Sequence, residues 1–423
     1  MRILIIGSGG RECTLAWKLA QSNRLDALYI APGNAGTSAY GENIPVGVTD
    51  FPAIKKACLD NKIDMVLVGP EAPLVAGIYD FFSSDETLRH ISVIGPSQEG
   101  AQLEGSKAYA KTFMARHGIP TAAYGEFTAD TIDEGVAHLK KSVGPYVLKA
   151  DGLAAGKGVL IIEELDEAID ALRDMLGGKF GEASSTVVIE EFLDGIEFSV
   201  FALTDGENYF LLPEAKDYKR IGEGDKGLNT GGMGAVSPVP FYTGDFKEKV
   251  IEKIVKPTID GLNAEGISYH GFVFFGLISC NGEPYVIEYN CRMGDPETEA
   301  VIPRLENDLV EVLASVHNGT LGNQRPIYSN QLATTVMMVS GGYPEAYEKG
   351  KKISIPSDHD GLILHAGTTT DNAGNIVTNG GRVIAITTRG ETIMESVQQA
   401  LNIADKIDFD KKYYRTDIGK DLV

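Results

Sequence analysis

Four short apolar runs in the first hundred residues, at positions 3–6, 28–30, 65–68 and 92–94, alternate with helical patterns at 12–21 and 53–60. No other feature constrains the fold as much, because strands separated by helices build a parallel, doubly wound sheet. Ligands of such sheets bind beyond the carboxyl ends of the strands. Here those ends carry Gly7-Ser8-Gly9-Gly10, Pro32-Gly33-Asn34-Ala35-Gly36-Thr37 and Gly69-Pro70-Glu71-Ala72-Pro73, so three turns converge on one glycine-rich edge.

The pattern changes at about Ser106. A helix is expected over 107–117, then strands at 146–150 and 159–162 joined by a glycine-rich segment, a helix at 166–176 and a strand at 187–191. Long strands at 198–203 and 209–213, an extended helix at 246–262 and a hairpin of 272–280 with 285–289 complete a second, larger unit. Beyond about Asn330, strands at 334–339, 362–369 and 383–388 and a helix at 393–407 read as a small α+β domain. At roughly 100–200 residues per domain, 423 residues accommodate two to four units. The expected architecture is therefore α/β and α+β: an N-terminal doubly wound parallel-sheet domain (1–103), a core with a mobile lid (104–327, lid about 122–192) and a small C-terminal α+β domain (328–423).

Composition narrows the function. With 38 basic against 59 acidic residues the net charge is −21, which repels nucleic acids and anionic membrane faces unless a basic patch intervenes. No run of Lys and Arg supplies one. Cys13, Cys58, Cys280 and Cys291 form no C-x-x-C pair and are too few for a disulfide framework, so ordinary thiols in a reducing compartment are expected. The apolar run at the N-terminus is too short for a signal segment. No apolar stretch approaches the ~18–20 residues that cross a bilayer. A cytoplasmic, soluble protein is the expectation.

Gly7-Ser8-Gly9-Gly10-Arg11-Glu12 follows a strand and opens a helix, which invites a dinucleotide reading. Glu12 replaces the third glycine of that fingerprint, however, and Ala31-Pro32 ends the second strand where an acid would hold a ribose. The N–H groups and dipole of a helix N-terminus still suit a monophosphate, with a purely structural turn as the alternative. Asp151-Gly152-Leu153-Ala154-Ala155-Gly156-Lys157-Gly158 is one residue short of a Walker A loop, lacks its Ser or Thr, and links two strands. It suits a lid whose N–H groups at Gly152, Gly156 and Gly158, together with Lys157, meet triphosphate oxygens; an ordinary hairpin turn is the alternative.

Lys149 lies in an apolar strand and would be costly to bury without an anion, for which a phosphate is the expected partner; an edge lysine facing solvent is the alternative. Lys107 opens a helix against the macrodipole preference, which fits an anion ligand or a plain solvated lysine. Glu190-Glu191-Phe192-Leu193 ends a strand. It reads either as an adenine-binding edge, with Glu197 for the ribose hydroxyls, or as solvated surface. The stretch Glu288-Tyr289-Asn290-Cys291-Arg292-Met293-Gly294-Asp295-Pro296-Glu297-Thr298 is the most informative. Glu288 and Asn290, two apart on a strand, face one side as a hard Mg²⁺ bridging phosphates requires. Arg292 on that face can neutralise a transferring phosphoryl group; a surface acid–arginine network is the alternative.

These motifs in order, with Leu103-Glu104-Gly105-Ser106-Lys107, Asn229-Thr230-Gly231-Gly232-Met233-Gly234-Ala235 and Gly341-Gly342-Tyr343-Pro344, resemble the glycinamide ribonucleotide synthetase (phosphoribosylamine–glycine ligase) family of ATP-grasp enzymes. The resemblance covers essentially the whole chain. It implies a C–N ligase of purine biosynthesis that joins glycine to 5-phosphoribosylamine with ATP and Mg²⁺ or Mn²⁺, acting as a cytoplasmic monomer without nucleic-acid or membrane partners. It further implies an N-terminal domain holding the sugar phosphate, with Gly9, Gly10, Asn34, Gly36 and Thr37 on the 5′-phosphate. Glu71 would meet the ribose or its amine and Asp217 the glycine ammonium, with Arg292 and Asp295 also on the substrates. Lys149, Lys157 and Arg292 would act in catalysis. Two departures stand out: Cys13 replaces the family's usual His, and Leu228 stands where a Pro is common.

The chemistry agrees with that reading. A carboxylate oxygen is a poor leaving group, so γ-phosphoryl transfer to glycine gives an acyl phosphate that the ribosylamine nitrogen attacks. An ATP-grasp ligase with another acceptor, an NAD-binding oxidoreductase and a non-catalytic nucleotide sensor are the rival expectations. The altered fingerprint argues against NAD, and retention of both Glu288 and Asn290 argues against a sensor.

Overall fold

A computed structural model describes residues 1–153 and 158–423. Strands Arg2–Gly7, Ala27–Pro32, Glu42–Asn43, Met65–Val68 and Ser92–Pro96 form the anticipated parallel sheet, with Arg2–Gly7 between Ala27–Pro32 and Met65–Val68. Ile3 to Ile6 are fully buried, as expected where both faces are covered.

The sheet does not stop there. Strand Tyr269–Cys280 pairs antiparallel with the edge strand, Tyr269 against Pro96 and His270 against Gly95, and leads on through Ile196–Thr204 and Tyr209–Leu211. Glu283–Asn290 also pairs with Tyr269–Cys280. The first two units, expected to be separate, thus share one nine-stranded sheet. Extending it closes an edge that would otherwise present unpaired N–H and C=O groups. One apolar core accordingly runs from Leu4 and Val66 to Phe113 and Phe275.

The lid is a separate four-stranded sheet of Tyr124–Thr128, Thr186–Glu190, Tyr146–Ala150 and Val159–Ile162. Helices Ile132–Lys141 and Leu165–Asp174 place Leu139 and Leu172 in a core with Leu148 and Ile189 that is the lid's own. The C-terminal unit is a five-stranded sheet carrying helix Ile393–Lys406, but two of its strands, Lys216–Asp217 and Gly234–Ser237, come from mid-chain. Among the described residues no helix is long and apolar enough to cross a membrane.

Two expected elements differ. The strand expected at 362–369 ends at His365, and Thr368–Thr370 turns away to pair with Ile376–Thr378. Gly367 sits at the break, where a Cβ would lie 2.6 Å from the Gly380 Cα. The helix expected at 246–262 is one helical run in three pieces, with a π turn at Ile251–Val255 before Pro257. Proline has no N–H for the ordinary helical bond, and the wider turn accommodates that loss.

Candidate active site

Strand Tyr146–Ala150 carries Lys149 into the interior, where it is 5% exposed. Its anionic partner is Glu190: Lys149 Nζ lies 2.8 Å from Glu190 Oε2 and also donates to the Ile287 carbonyl at 3.2 Å. This corrects the expectation of a phosphate as the partner that permits burial. The Glu190 carboxylate thus sits in a buried ion pair, its other oxygen 3.2 Å from Lys111 Nζ, while the adenine-edge expectation concerns the backbone of this strand end.

Helix Lys107–Arg116 is capped by Ser106, whose Oγ accepts from Tyr109 N at 3.0 Å. The Asp151 carboxylate accepts from Ala108 N at 2.7 Å and from the Ser106 hydroxyl at 3.1 Å, so the glycine-rich segment starts docked on a helix N-terminus. Lys107 Nζ reaches the Asp151 and Gly152 carbonyls at 3.5 and 3.4 Å. Burial lowers its pKa, against the pull of Glu288. Gly152 is needed where it stands, since a Cβ would lie 2.9 Å from the Ala183 Cα. Gly158 is buried and its carbonyl accepts from Ala150 N at 2.8 Å. Gly156 and Lys157 lie outside the described residues.

Opposite the lid, a bulge in Glu283–Asn290 leaves Ile287 without a ladder partner, which frees the carbonyl that Lys149 uses. Beyond the bulge Tyr289 is buried, while Glu288 and Asn290 share the other face. Asn290 Oδ1 accepts from Arg292 Nη2 at 3.2 Å. Among the described residues no group of three or more His, Cys, Asp or Glu is set to hold a metal. Two hard oxygen ligands on one face nevertheless fit Mg²⁺, which takes few protein ligands and completes its shell with water and phosphates.

Arg292 is the junction of the site. Its Nη2 lies 2.7 Å from Glu104 Oε1 and its Nε 3.5 Å from Glu71 Oε2. Although burial opposes the charge, these two carboxylates raise the guanidinium pKa above its ordinary value. Glu71 in turn is lowered: burial raises it, but Arg292, a hydrogen bond from its own backbone N–H and Arg11 together outweigh that.

At the strand end expected to border the adenine, Glu191 and Phe192 are exposed and Leu193 is half-buried, and Glu191 N already donates to Ala123 O at 2.8 Å. Glu197 Oε2 pairs with Lys219 Nζ at 2.7 Å. Glu197, Asp217, Lys219 and Glu288 line one small cavity. Burial raises Asp217; Lys219 is raised despite burial by Asp217, Glu197 and Glu288. Glu297, beside the Ser199 hydroxyl at 3.5 Å, is pushed up to about 8 by burial and by Asp217.

A cleft of about 580 Å³ separates the N-terminal loops from the C-terminal unit, lined by Gly9, Asn34, Asp295, Thr368, Asn379 and Arg382 among others. The expected phosphate loops build this cleft differently from the expectation of open N–H donors. Gly9 N donates to Glu12 Oε2 at 2.6 Å. Asn34 Oδ1 accepts from Gly36 N and Thr37 N at 2.8 and 3.1 Å, and Asn34 Nδ2 ties the loop to His365 O at 2.8 Å. Gly10 packs on Glu299 and Gly36 on the His365 ring, and Thr37 is fully buried, so these three lie behind the wall. Asp295 lines the cleft 2.9 Å from Arg382 Nη2; Arg382 and Arg11 outweigh burial and keep its pKa low. Cys13 is buried among Met233, Met337 and Leu364, and burial pushes its thiol up to about 12.

Five residues escaped the sequence reading: Lys111, Glu104, Lys219, Glu297 and Arg382. Lys219 had a signal, being two residues from Asp217 and so on the same strand face; Lys111 had another, one helical turn after Lys107. Arg382 had none, because its partner Asp295 is distant in sequence.

A separately packed four-stranded unit facing the strand of Glu288 and Asn290, with lysines between, is the organisation of the ATP-grasp class, and the chain matches that class's domain at 105–298. Family models then match the three parts of the chain: phosphoribosylglycinamide synthetase N domain at 1–104, its ATP-grasp domain at 105–298 and its C domain at 333–421. The chain belongs to the phosphoribosylglycinamide synthetase family. It is 47% identical to a phosphoribosylamine–glycine ligase of Vibrio cholerae, over 99% of this chain and 98% of that protein. A crystal structure of a phosphoribosylamine–glycine ligase from Thermotoga maritima superposes with a TM-score of 0.86 at 38% identity, covering 99% of this chain and all of that one. At 16% identity the likeness is to fold alone for the biotin carboxylase domain of a Hydrogenobacter thermophilus carboxylase, with a TM-score of 0.72 over 98% of this chain and 92% of that one.

Proposed function

We propose that this chain ligates glycine to 5-phosphoribosylamine, converting ATP to ADP and phosphate and forming glycinamide ribonucleotide in purine biosynthesis, as a monomer in the cytoplasm. The observation that carries the reading is Arg292, whose guanidinium touches Asn290 on the nucleotide strand and lies beside Glu71 at the parallel-sheet edge. Two half-sites therefore meet at one cation. ATP lies between lid and core, its phosphates met by Lys107, Lys149, Lys157 and the N–H groups of Gly156 and Gly158, while the Gly152 N–H, expected on the phosphates, donates to Ala183 O at 3.0 Å. Glu191, Phe192 and Leu193 border the base and Glu197 accepts from the ribose. Glu288 and Asn290 hold the divalent ion, Mg²⁺ or Mn²⁺, which neutralises phosphate charge when bound.

Asp217 receives the glycine ammonium. A glycine carboxylate oxygen then attacks the γ-phosphorus and ADP leaves, and the ribosylamine nitrogen attacks the acyl carbon and expels phosphate. Lysines fixed in advance lower the barrier by positioning, and closure of the lid excludes water that would hydrolyse the acyl phosphate. Arg292 faces the charge that develops on both transfers. The sugar phosphate occupies the cleft walled by Gly9 and Asn34, with Gly10, Gly36 and Thr37 supporting the wall from behind, Glu71 toward its amine and Asp295 and Arg382 opposite. ADP release with glycine and freshly made phosphoribosylamine, each omitted in turn, tests the acceptor. Release that is equal without the amine would overturn it.

A further inference from the structure

Lys111 is one of the most deeply buried charges in the molecule, 2% exposed, and its three ammonium protons have three acceptors. They are Glu190 Oε1 at 3.2 Å, the Thr121 hydroxyl at 2.7 Å and the Ala122 carbonyl at 3.2 Å, with the Tyr124 ring centroid 5.4 Å away. The chain enters the lid at Thr121 to Tyr124 and leaves it at Glu190, so one side chain of the core helix Lys107–Arg116 grips both crossings. The grip is anchored, because the Thr121 hydroxyl also donates to Val286 O at 2.7 Å on the strand that carries Glu288 and Asn290.

Charge gives the arrangement a second consequence. Glu190 is shared, 3.2 Å from Lys111 and 2.8 Å from Lys149, so the trio carries one net positive charge. Were Lys111 neutral, Glu190 would pair with Lys149 alone and cancel it. Resting on the ATP reading of the site, we propose that Lys111 is a positioning residue for ATP. It holds both lid crossings against the core and, by sharing Glu190, leaves the Lys149 ammonium available to phosphate.

The groups facing Lys111 are Glu190, Lys149 and Tyr124 from the lid strands, with Lys107 one turn back on its own helix. Burial, opposed by Glu190, brings the Lys111 pKa down to about 8. Its charge is present below that pH and lost above it, so the affinity for ATP falls as pH rises through about 8.

Steady-state kinetics on the full chain test this. K111M should raise KM for ATP at least tenfold while KM for glycine stays within threefold, and K111R should return KM for ATP to within threefold of wild type. A purely structural lysine would instead lower the active fraction, and so kcat, at constant KM. In wild type, kcat/KM for ATP should fall above about pH 8, a free-enzyme titration; in K111R the fall should come at least one pH unit higher. An unchanged KM for ATP in folded K111M overturns the inference. If K111M does not fold, the pH profiles decide, and coincident alkaline limbs for K111R and wild type overturn it. Wild type that consumes no ATP would overturn the proposed function and this inference together, which the variants alone cannot do.

Discussion

Single residues matter here chiefly through the charge they leave unpaired. Glu288 neighbours Lys107, Asp217 and Lys219 and supplies a hard oxygen next to Asn290. Removing it by Glu288→Ala should abolish Mg²⁺-dependent turnover; near-normal kcat in that variant would contradict the metal assignment. The cysteines make the opposite case, because burial pushes Cys13 and Cys58 up to about 12 and leaves Cys280 the partly exposed thiol. A thiol reagent at about pH 8 should label Cys280 first and reach Cys13 only on unfolding, as peptide mapping would show. The shared face of Glu288 and Asn290 could be read from the sequence because strand alternation fixes it, whereas Arg292 follows the end of the strand and meets Asn290 through its side chain. The Lys149 partner could not, since Glu190 reaches it only through pairing of two lid strands.

Elements became legible in proportion to their contrast. The strands at Arg2–Gly7 and Met65–Val68 are short apolar runs between turns and stand out. Helix Leu309–His317 was missed: it is so uniformly apolar that its period is hidden, and only Asp308, capping Val310 and Glu311, marks its start. Strand Tyr124–Thr128 has Phe127 as its one buried residue, too little for an alternation signal. The break at Gly367 depends on contact with Gly380, a tertiary fact. The helix that presents Lys107 and Lys111 depends on its cap, so Ser106→Ala should destabilise the protein by about 1 kcal/mol. Because Ser106 also holds Asp151, the same change should raise KM for ATP. Denaturant unfolding and steady-state kinetics check the two halves.

At the scale of the molecule, a shared nine-stranded sheet makes the glycine-rich edge and the strand of Glu288 and Asn290, where the sugar phosphate and nucleotide are proposed to bind, parts of one frame, against which the four-stranded unit has its own core. The −21 net charge fits this arrangement, because the cations that would meet anionic substrates, Lys107, Lys149, Arg292 and Arg382, are gathered at buried or half-buried positions around the two clefts. The interleaving of Lys216–Asp217 and Gly234–Ser237 with the C-terminal strands was beyond the sequence, since strands of two and four residues carry too little pattern and pair by tertiary context. In the proposed reaction this frame brings a carboxylate, a phosphoryl donor and an amine to one guanidinium. The most direct measurement of that claim is a single turnover with glycine labelled with ¹⁸O in its carboxylate. The account predicts one labelled oxygen in the released phosphate, carried by the acyl-phosphate bridge; unlabelled phosphate alongside full product formation would contradict it.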